Sequence, residues 1–159
     1  MPQMTDPMNA LKELQKALEN KWVKLTPCDI HKEMLVIADQ PNGVVRFTYA
    51  LVENGKVHAI SLFAITDPVE GLPCFNVGYA VLENMRGNGI GTEILKKGIE
   101  ELYQGFARNG HREFYIEAVV GVENHASNSM AKKLISESPT RCQDHLSGEE
   151  AFQYLRKLQ

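Results

Sequence analysis

Arg86-Gly87-Asn88-Gly89-Ile90-Gly91-Thr92 sets glycine at every second position between a strand-like stretch, Phe75 to Val81, and a helix-like one, Thr92 to Arg108. Glycine lets a backbone turn tightly and bring its N–H groups close to a ligand. A helix that starts at such a turn points unpaired donors and the positive end of its dipole at the same spot. The combination suits an anion, a pyrophosphate above all. Spacing rejects two commoner nucleotide motifs. A dinucleotide fingerprint counted from Gly87 needs glycine where Thr92 stands, and counted from Gly89 it needs glycine or alanine where Ile94 stands. No glycine here is followed by the Gly-Lys-Ser/Thr of a Walker A loop. The competing reading is a plain glycine-rich turn.

From Arg86 to Gly91 the run matches arginine, two free positions, glycine, one free position, glycine. This resembles the acetyl-CoA-binding signature of the GNAT N-acetyltransferases. Downstream, Ile116-Glu117-Ala118-Val119-Val120, then Asn124, Ser127, Met130-Ala131 and Lys133-Leu134, are similar to the family's second block. Together the blocks cover residues 75 to 134. The resemblance implies an α/β (mixed α+β) GNAT fold: a central twisted mixed sheet of about six or seven strands flanked by helices. It implies acetyl-CoA as cosubstrate, a bulge in the strand before the turn, and backbone groups of Val81, Leu82 and Glu83 along the pantetheine arm. Arg86, Gly87, Asn88, Gly89, Ile90, Gly91 and Thr92 would then form the pyrophosphate site. An N–H near Val81 or Leu82 would polarise the thioester carbonyl, and Asn124 would bond the pantetheine amides. For Asn124, capping of the helix that contains Ser127 is the alternative.

The implied reaction is direct attack of a neutral amine on the thioester, with one proton to remove from the amine and one to give to sulfur. Many relatives use a glutamate where this chain has Asn76 and a tyrosine where it has Ala131, and neither replacement can do those jobs. The asparagine-serine-alanine form of the block is similar to the Rim-type enzymes that acetylate protein N-termini. Glu117 is the remaining acidic candidate for a base; the alternatives are a salt-bridged or solvent-facing carboxylate, with the free-amine population setting the rate. Ser127 is the candidate donor toward sulfur, or else a backbone cap. Tyr79 reads as core and His125 as an exposed helix-start residue. Neutralising a lysine of pKa about 10.4 at pH 7.5 costs about 4 kcal/mol, an α-amine near 8 under about 1 kcal/mol. A site without a strong base should therefore prefer α-amines or other weakly basic amines. The acceptor is read as a protein N-terminal amine or a small primary amine such as an antibiotic, polyamine or amino acid. A non-catalytic acyl-CoA-binding module and a regulatory assembly partner are the other readings.

With 159 residues, 43% hydrophobic and 23% charged, the composition fits one soluble domain spanning 1–159. A net charge of −3 and the lack of a basic run disfavour nucleic acid as a partner. Cys28, Cys74 and Cys142 are neither paired nor metal-spaced, so buried free thiols in a reducing compartment are expected. Met1 to Asn9 shows no signal peptide and no stretch reaches membrane-spanning length, so a cytoplasmic monomer or homodimer is expected.

These residues need elements to hold them. Asp6-Pro7 predicts a helix start, with Leu11, Leu14 and Leu18 on one face. Trp22 to Leu25 reads as a strand, and Thr26-Pro27-x-Asp29 as the start of a helix through Ile37. Val44 to Val52 and Lys56 to Ile65 read as strands joined by Glu53-Asn54-Gly55. Asp67 to Pro73 reads as a loop. After the turn, Leu95, Ile99, Leu102 and Phe106 share a face beside Ile94 and Gly98, and Gly98 suggests close packing on the sheet. Arg112 to Val120 is a strand and Ser127 to Ile135 a helix. The last residues, with Phe152 and Tyr154, lean to a strand. Ile135-Ser136 stands where relatives have a glycine-aromatic pair, so rearrangement after residue 135 is expected.

Overall fold

The first helix, α1 (Pro7–Glu19), begins where its sequence says: Asp6 accepts from the Met8 N–H at 2.9 Å and Pro7 occupies the first helical position. The structure is a computed structural model and describes residues 6–159. The signal-peptide reading therefore rests partly on residues 1–5, outside those described. After α1 come β1 (Thr26–Pro27), β2 (Leu35–Asp39), β3 (Arg46–Glu53), β4 (Lys56–Val69) and β5 (Leu72–Val81). Then follow α2 (Ile90–Arg108), β6 (Phe114–Gly121), α3 (His125–Leu134), β7 (Thr140–Gln143) and β8 (Glu150–Leu158). One mixed sheet of eight strands runs β1-β2-β3-β4-β5-β6-β8-β7, more strands than the six or seven expected. All neighbours are antiparallel except β5 and β6.

Hairpin chemistry explains the meander. Asn54 and Gly55 have φ 53° and 76°, the left-handed pair of a two-residue turn that matches strand twist. Glu70 and Gly71 repeat it at φ 49° and 79°. That second turn corrects the loop expected over Asp67–Pro73. β4 runs to Val69 and β5 starts at Leu72, and the two prolines fall where the register shifts between Thr66 and Val69. A ladder already interrupted there has no use for the N–H that proline lacks.

The segment after α1 departs further from expectation. Trp22–Leu25 is not a strand, and Thr26–Ile37 is not a helix. Instead β1 pairs with β2, and the intervening loop is tied to α2. Glu101 of α2, only 5% exposed, accepts from the N–H groups of Ile30 and His31 at 3.1 and 2.5 Å. Asp29, part of the expected helix start, accepts from Arg108 at 2.6 Å. A buried carboxylate outbids a local helix signal.

α2 and α3 cover one face of the sheet over Phe63, Phe75, Val77, Ile116 and Tyr154. α1 covers the other over Ala50, Ile60 and Ala80. The C-terminal strand forms as expected, anchored by Tyr154, which is fully buried and donates to Asn128 Oδ1 at 2.6 Å. Preceding it, β7 is an unexpected edge strand. No described helix is long and apolar enough to cross a membrane.

Candidate active site

The sheet opens at its centre. β5 and β6 pair in parallel only at Cys74–Tyr115, Phe75–Ile116 and Asn76–Glu117, after which both strands continue without each other. Leu82 N–H donates to His58 of β4 at 2.9 Å, so alternation sends the even-numbered groups of β5 toward β4. The Val77 carbonyl and the backbone groups of Tyr79 and Val81 therefore face the opening. Val122 N–H donates to Glu150 at 3.2 Å, which by the same rule aims Val119 and Gly121 at the opening from the other side.

The expected bulge at Val81–Glu83 is absent. β5 keeps continuous register with β4 from Cys74 through Val81, and Glu83–Met85 is a short 3-10 turn. Irregularity lies one pair over, where β3 and β4 shift between Leu51 and Val52. Of the two expected donors, Leu82 is committed to His58 and Val81 is not.

At the end of β5 the glycine turn enters α2. Gly87 and Gly89 have φ 85° and 75°, with open space where a Cβ would point. Gly91 is glycine for another reason: a Cβ would lie 3.3 Å from both Tyr79 Cε2 and Met130 Cε. The first helical bond runs from Glu93 to Gly89, and among the described residues no hydrogen bond uses the N–H groups of Gly87 to Thr92. Arg86 Nε donates to Val81 O at 3.1 Å, Asn88 Nδ2 to Met85 O at 3.4 Å, and Thr92 Oγ1 to the soft Met130 sulfur at 3.3 Å. Converging unpaired donors at a helix N-terminus fit a diphosphate.

α3 starts on the far side of the opening. Asn124 Oδ1 accepts from Ser127 N–H at 3.2 Å, the capping arrangement, which leaves its Nδ2 outside the cap. Ser127 Oγ lies 3.2 Å from the Tyr79 hydroxyl. The buried Asn128 donates to Gly121 O and Asn124 O, both at 2.9 Å, fixing α3 to the end of β6.

Glu117 sits at the last paired position. Asn76 Nδ2 donates to its Oε1 at 3.4 Å and Gln153 Nε2 to its Oε2 at 2.5 Å. It is half-buried, neither ion-paired among the described residues nor freely solvated. Strand alternation puts Asn76 and Glu117 on the α1 face, whereas Tyr79 packs with Ser127 on the α2/α3 face. The two candidate proton-handling sites thus lie on opposite faces, joined through the opening. Sequence reasoning singled out Glu117, Ser127 and the turn. It did not foresee the contacts of Gln153, Asn128 and the Tyr79 hydroxyl, which strand pairing and the docking of α3 bring to these residues. His125 is exposed, as expected.

A family model described as acetyltransferase (GNAT) matches residues 11–136. The chain belongs to that family, and acetyl-CoA is its cosubstrate. No protein of curated function matches the sequence. Among solved structures it is similar to an acetyltransferase from Salmonella typhimurium that modifies the N-terminal serine of a 50S ribosomal subunit protein. That match has TM-score 0.53 and 20% identity, over 99% of this chain and 78% of that one. A ribosomal-protein-alanine N-acetyltransferase from Brucella melitensis matches with TM-score 0.52 and 17% identity, over 98% of this chain and 81% of that one. A ribosomal-protein alanine acetyltransferase from Vibrio fischeri matches with TM-score 0.52 and 18% identity, over 72% and 62%.

Proposed function

We propose that this acetyltransferase moves the acetyl group of acetyl-CoA to a protein N-terminal α-amine. The observation that carries the reading is the opening itself: β5 and β6 part directly after Asn76–Glu117, beside a turn rich in free donors. In this reading Arg86 and the amides from Gly87 to Thr92, Ile90 among them, hold the diphosphate. The outward edge of Val77 to Val81 receives the pantetheine arm as an added strand. Asn124 Nδ2 donates to one of its carbonyls. Leu82 and Glu83 line this stretch without contributing a free strand donor.

Val81 N–H polarises the thioester carbonyl, a fixed donor of the oxyanion-hole kind. The amine nitrogen attacks the carbonyl carbon, the C–N bond forms and the C–S bond breaks. Glu117, held by Asn76 and Gln153, takes the amine proton, directly or through water. Ser127 stands on the sulfur side. The α-amine is favoured because so lightly equipped a site works best on an amine that is already largely neutral. The Salmonella enzyme named above modifies the N-terminal serine of a ribosomal subunit protein.

Intact-protein mass spectrometry after incubation with acetyl-CoA and a panel of peptides and small amines tests the reading. Acetylated peptide N-termini are expected, and binding of CoA without product on any amine would replace the enzyme with a binding module. Glu117→Gln should slow transfer at neutral pH by about tenfold or more, since general-base assistance is worth about 10²–10⁴-fold. Raising the pH should restore the rate, because solvent then supplies free amine. Identical pH–rate profiles for the two proteins would remove Glu117 from the mechanism.

A further inference from the structure

We propose that Tyr79 is the source of the proton that the departing sulfur receives, passed on through Ser127. The inference rests on the acetyl-transfer reading and extends it to the α2/α3 face. Three observations carry it. First, Ser127 is the half-buried hydroxyl of α3, while Ser129, Lys132 and Lys133 are exposed and Ala131 has no polar group. Second, the Tyr79 hydroxyl lies 3.2 Å from Ser127 Oγ in a part-buried setting, with that serine as its partner. Third, the ring is packed: it lies against Gly91 at the start of α2, in the same spot as the Met130 methyl of α3, so it stands between the two helices.

Relative acidity then decides which group is the source. An aliphatic hydroxyl holds its proton about as tightly as water, far more tightly than a thiol near 8.5. A serine acting alone would therefore transfer its proton steeply uphill. A phenol ordinarily near 10 is mismatched to a thiol by only about 1.5 units. With both hydroxyls in line, Ser127 never has to carry the alkoxide charge. As the C–S bond breaks, the Ser127 proton moves to sulfur and the Tyr79 proton moves to Ser127 Oγ. CoA leaves as the neutral thiol, and the phenolate regains a proton from solvent before the next turnover. The amine proton leaves separately, on the α1 face toward Glu117, so the two transfers do not compete for one group.

Tyr79→Phe keeps the ring and removes only the hydroxyl. Its kcat should fall by about tenfold or more, since general-acid assistance is worth about 10²–10⁴-fold, with CoA affinity within about twofold of wild type. Ser127→Ala should show a loss of the same size, and the double variant should be no slower than either single one, as expected for side chains acting as a unit. A Tyr79→Phe rate within about threefold of wild type, or losses that multiply in the double variant, would overturn the relay while leaving acetyl transfer intact. Absence of transfer by wild type to every amine would instead overturn the parent reading and the relay with it.

Discussion

Gly89 and Gly91 stand two positions apart and are glycine for different reasons. Gly91 is a packing glycine, pressed by Tyr79 and Met130. At Gly89, φ is 75° and the space beyond is open, so only backbone strain and a ligand limit the side chain. Gly89→Val should therefore fold, carry about 1–3 kcal/mol of local strain, and put a branched group into the donor-rich turn. A CoA titration of the folded variant should show affinity reduced at least tenfold; unchanged affinity would sink the diphosphate assignment. The turn was legible in the sequence because its chemistry is contiguous. The environment of Glu117 was not, since Asn76 and Gln153 lie 41 and 36 residues away and meet the carboxylate only through strand pairing. Nor was the Tyr79 hydroxyl, 48 residues from Ser127.

Among the elements, α2 was the most readable. Its buried face of Ile94, Leu95, Ile99 and Leu102 follows the helical period, and Gly98 lies on it. A Cβ at Gly98 would stand 2.3 Å from Ser61 Oγ and 3.1 Å from Phe63 Cε2, so α2 rests on β4 at backbone distance. Gly98→Ala should lower stability by about 1–2 kcal/mol, because overpacking exceeds the roughly 1 kcal/mol that alanine returns in helix propensity. Ser61→Ala should recover part of it, since the Ser61 hydroxyl is buried without a partner among the described residues. Urea melts of the single and double variants decide the point, and additive losses would refute the contact. Where elements were misread, a distant group had won. Glu101 took the N–H groups that a helix at Ile30–His31 would have used. Over Asp67–Pro73 the prolines suggested a loop, whereas Glu70-Gly71 had the backbone for a hairpin.

Across the whole molecule, burial sets an alkaline limit on stability. Desolvation pushes the Cys28 thiol up to about 12, helped by Glu101 and other nearby carboxylates, and the Cys74 thiol to about 12, helped by Glu117. Cys142 is only half-buried, against the expectation of buried thiols throughout. The unfolded chain releases both protons near the ordinary value of 9, while the folded chain keeps them. Stability from this source is thus intact below pH 9 and falls as pH climbs toward 12, by up to about 1.4 kcal/mol per pH unit per thiol. Urea stability at pH 8 and 10.5 should diverge less in a Cys28→Ala/Cys74→Ala variant than in wild type. Equal divergence would assign the alkaline loss to other groups, the buried Tyr49 phenol first.

The parting of β5 and β6 also divides the sheet into a five-stranded and a three-stranded part, joined by three residue pairs along their common line. Such a seam is a sheet edge turned inward, and edges recruit strands. A ligand that lies in it as an extra strand completes the ladder and welds the two parts into one. Amide exchange at Tyr79, Val81 and Val119 would then report the occupied state, slowing where backbone groups outside the present ladder gain partners. Emptied of ligand, the same edge is where a second chain would first add its own strand, so during storage the cosubstrate would serve as a chaperone for its own enzyme.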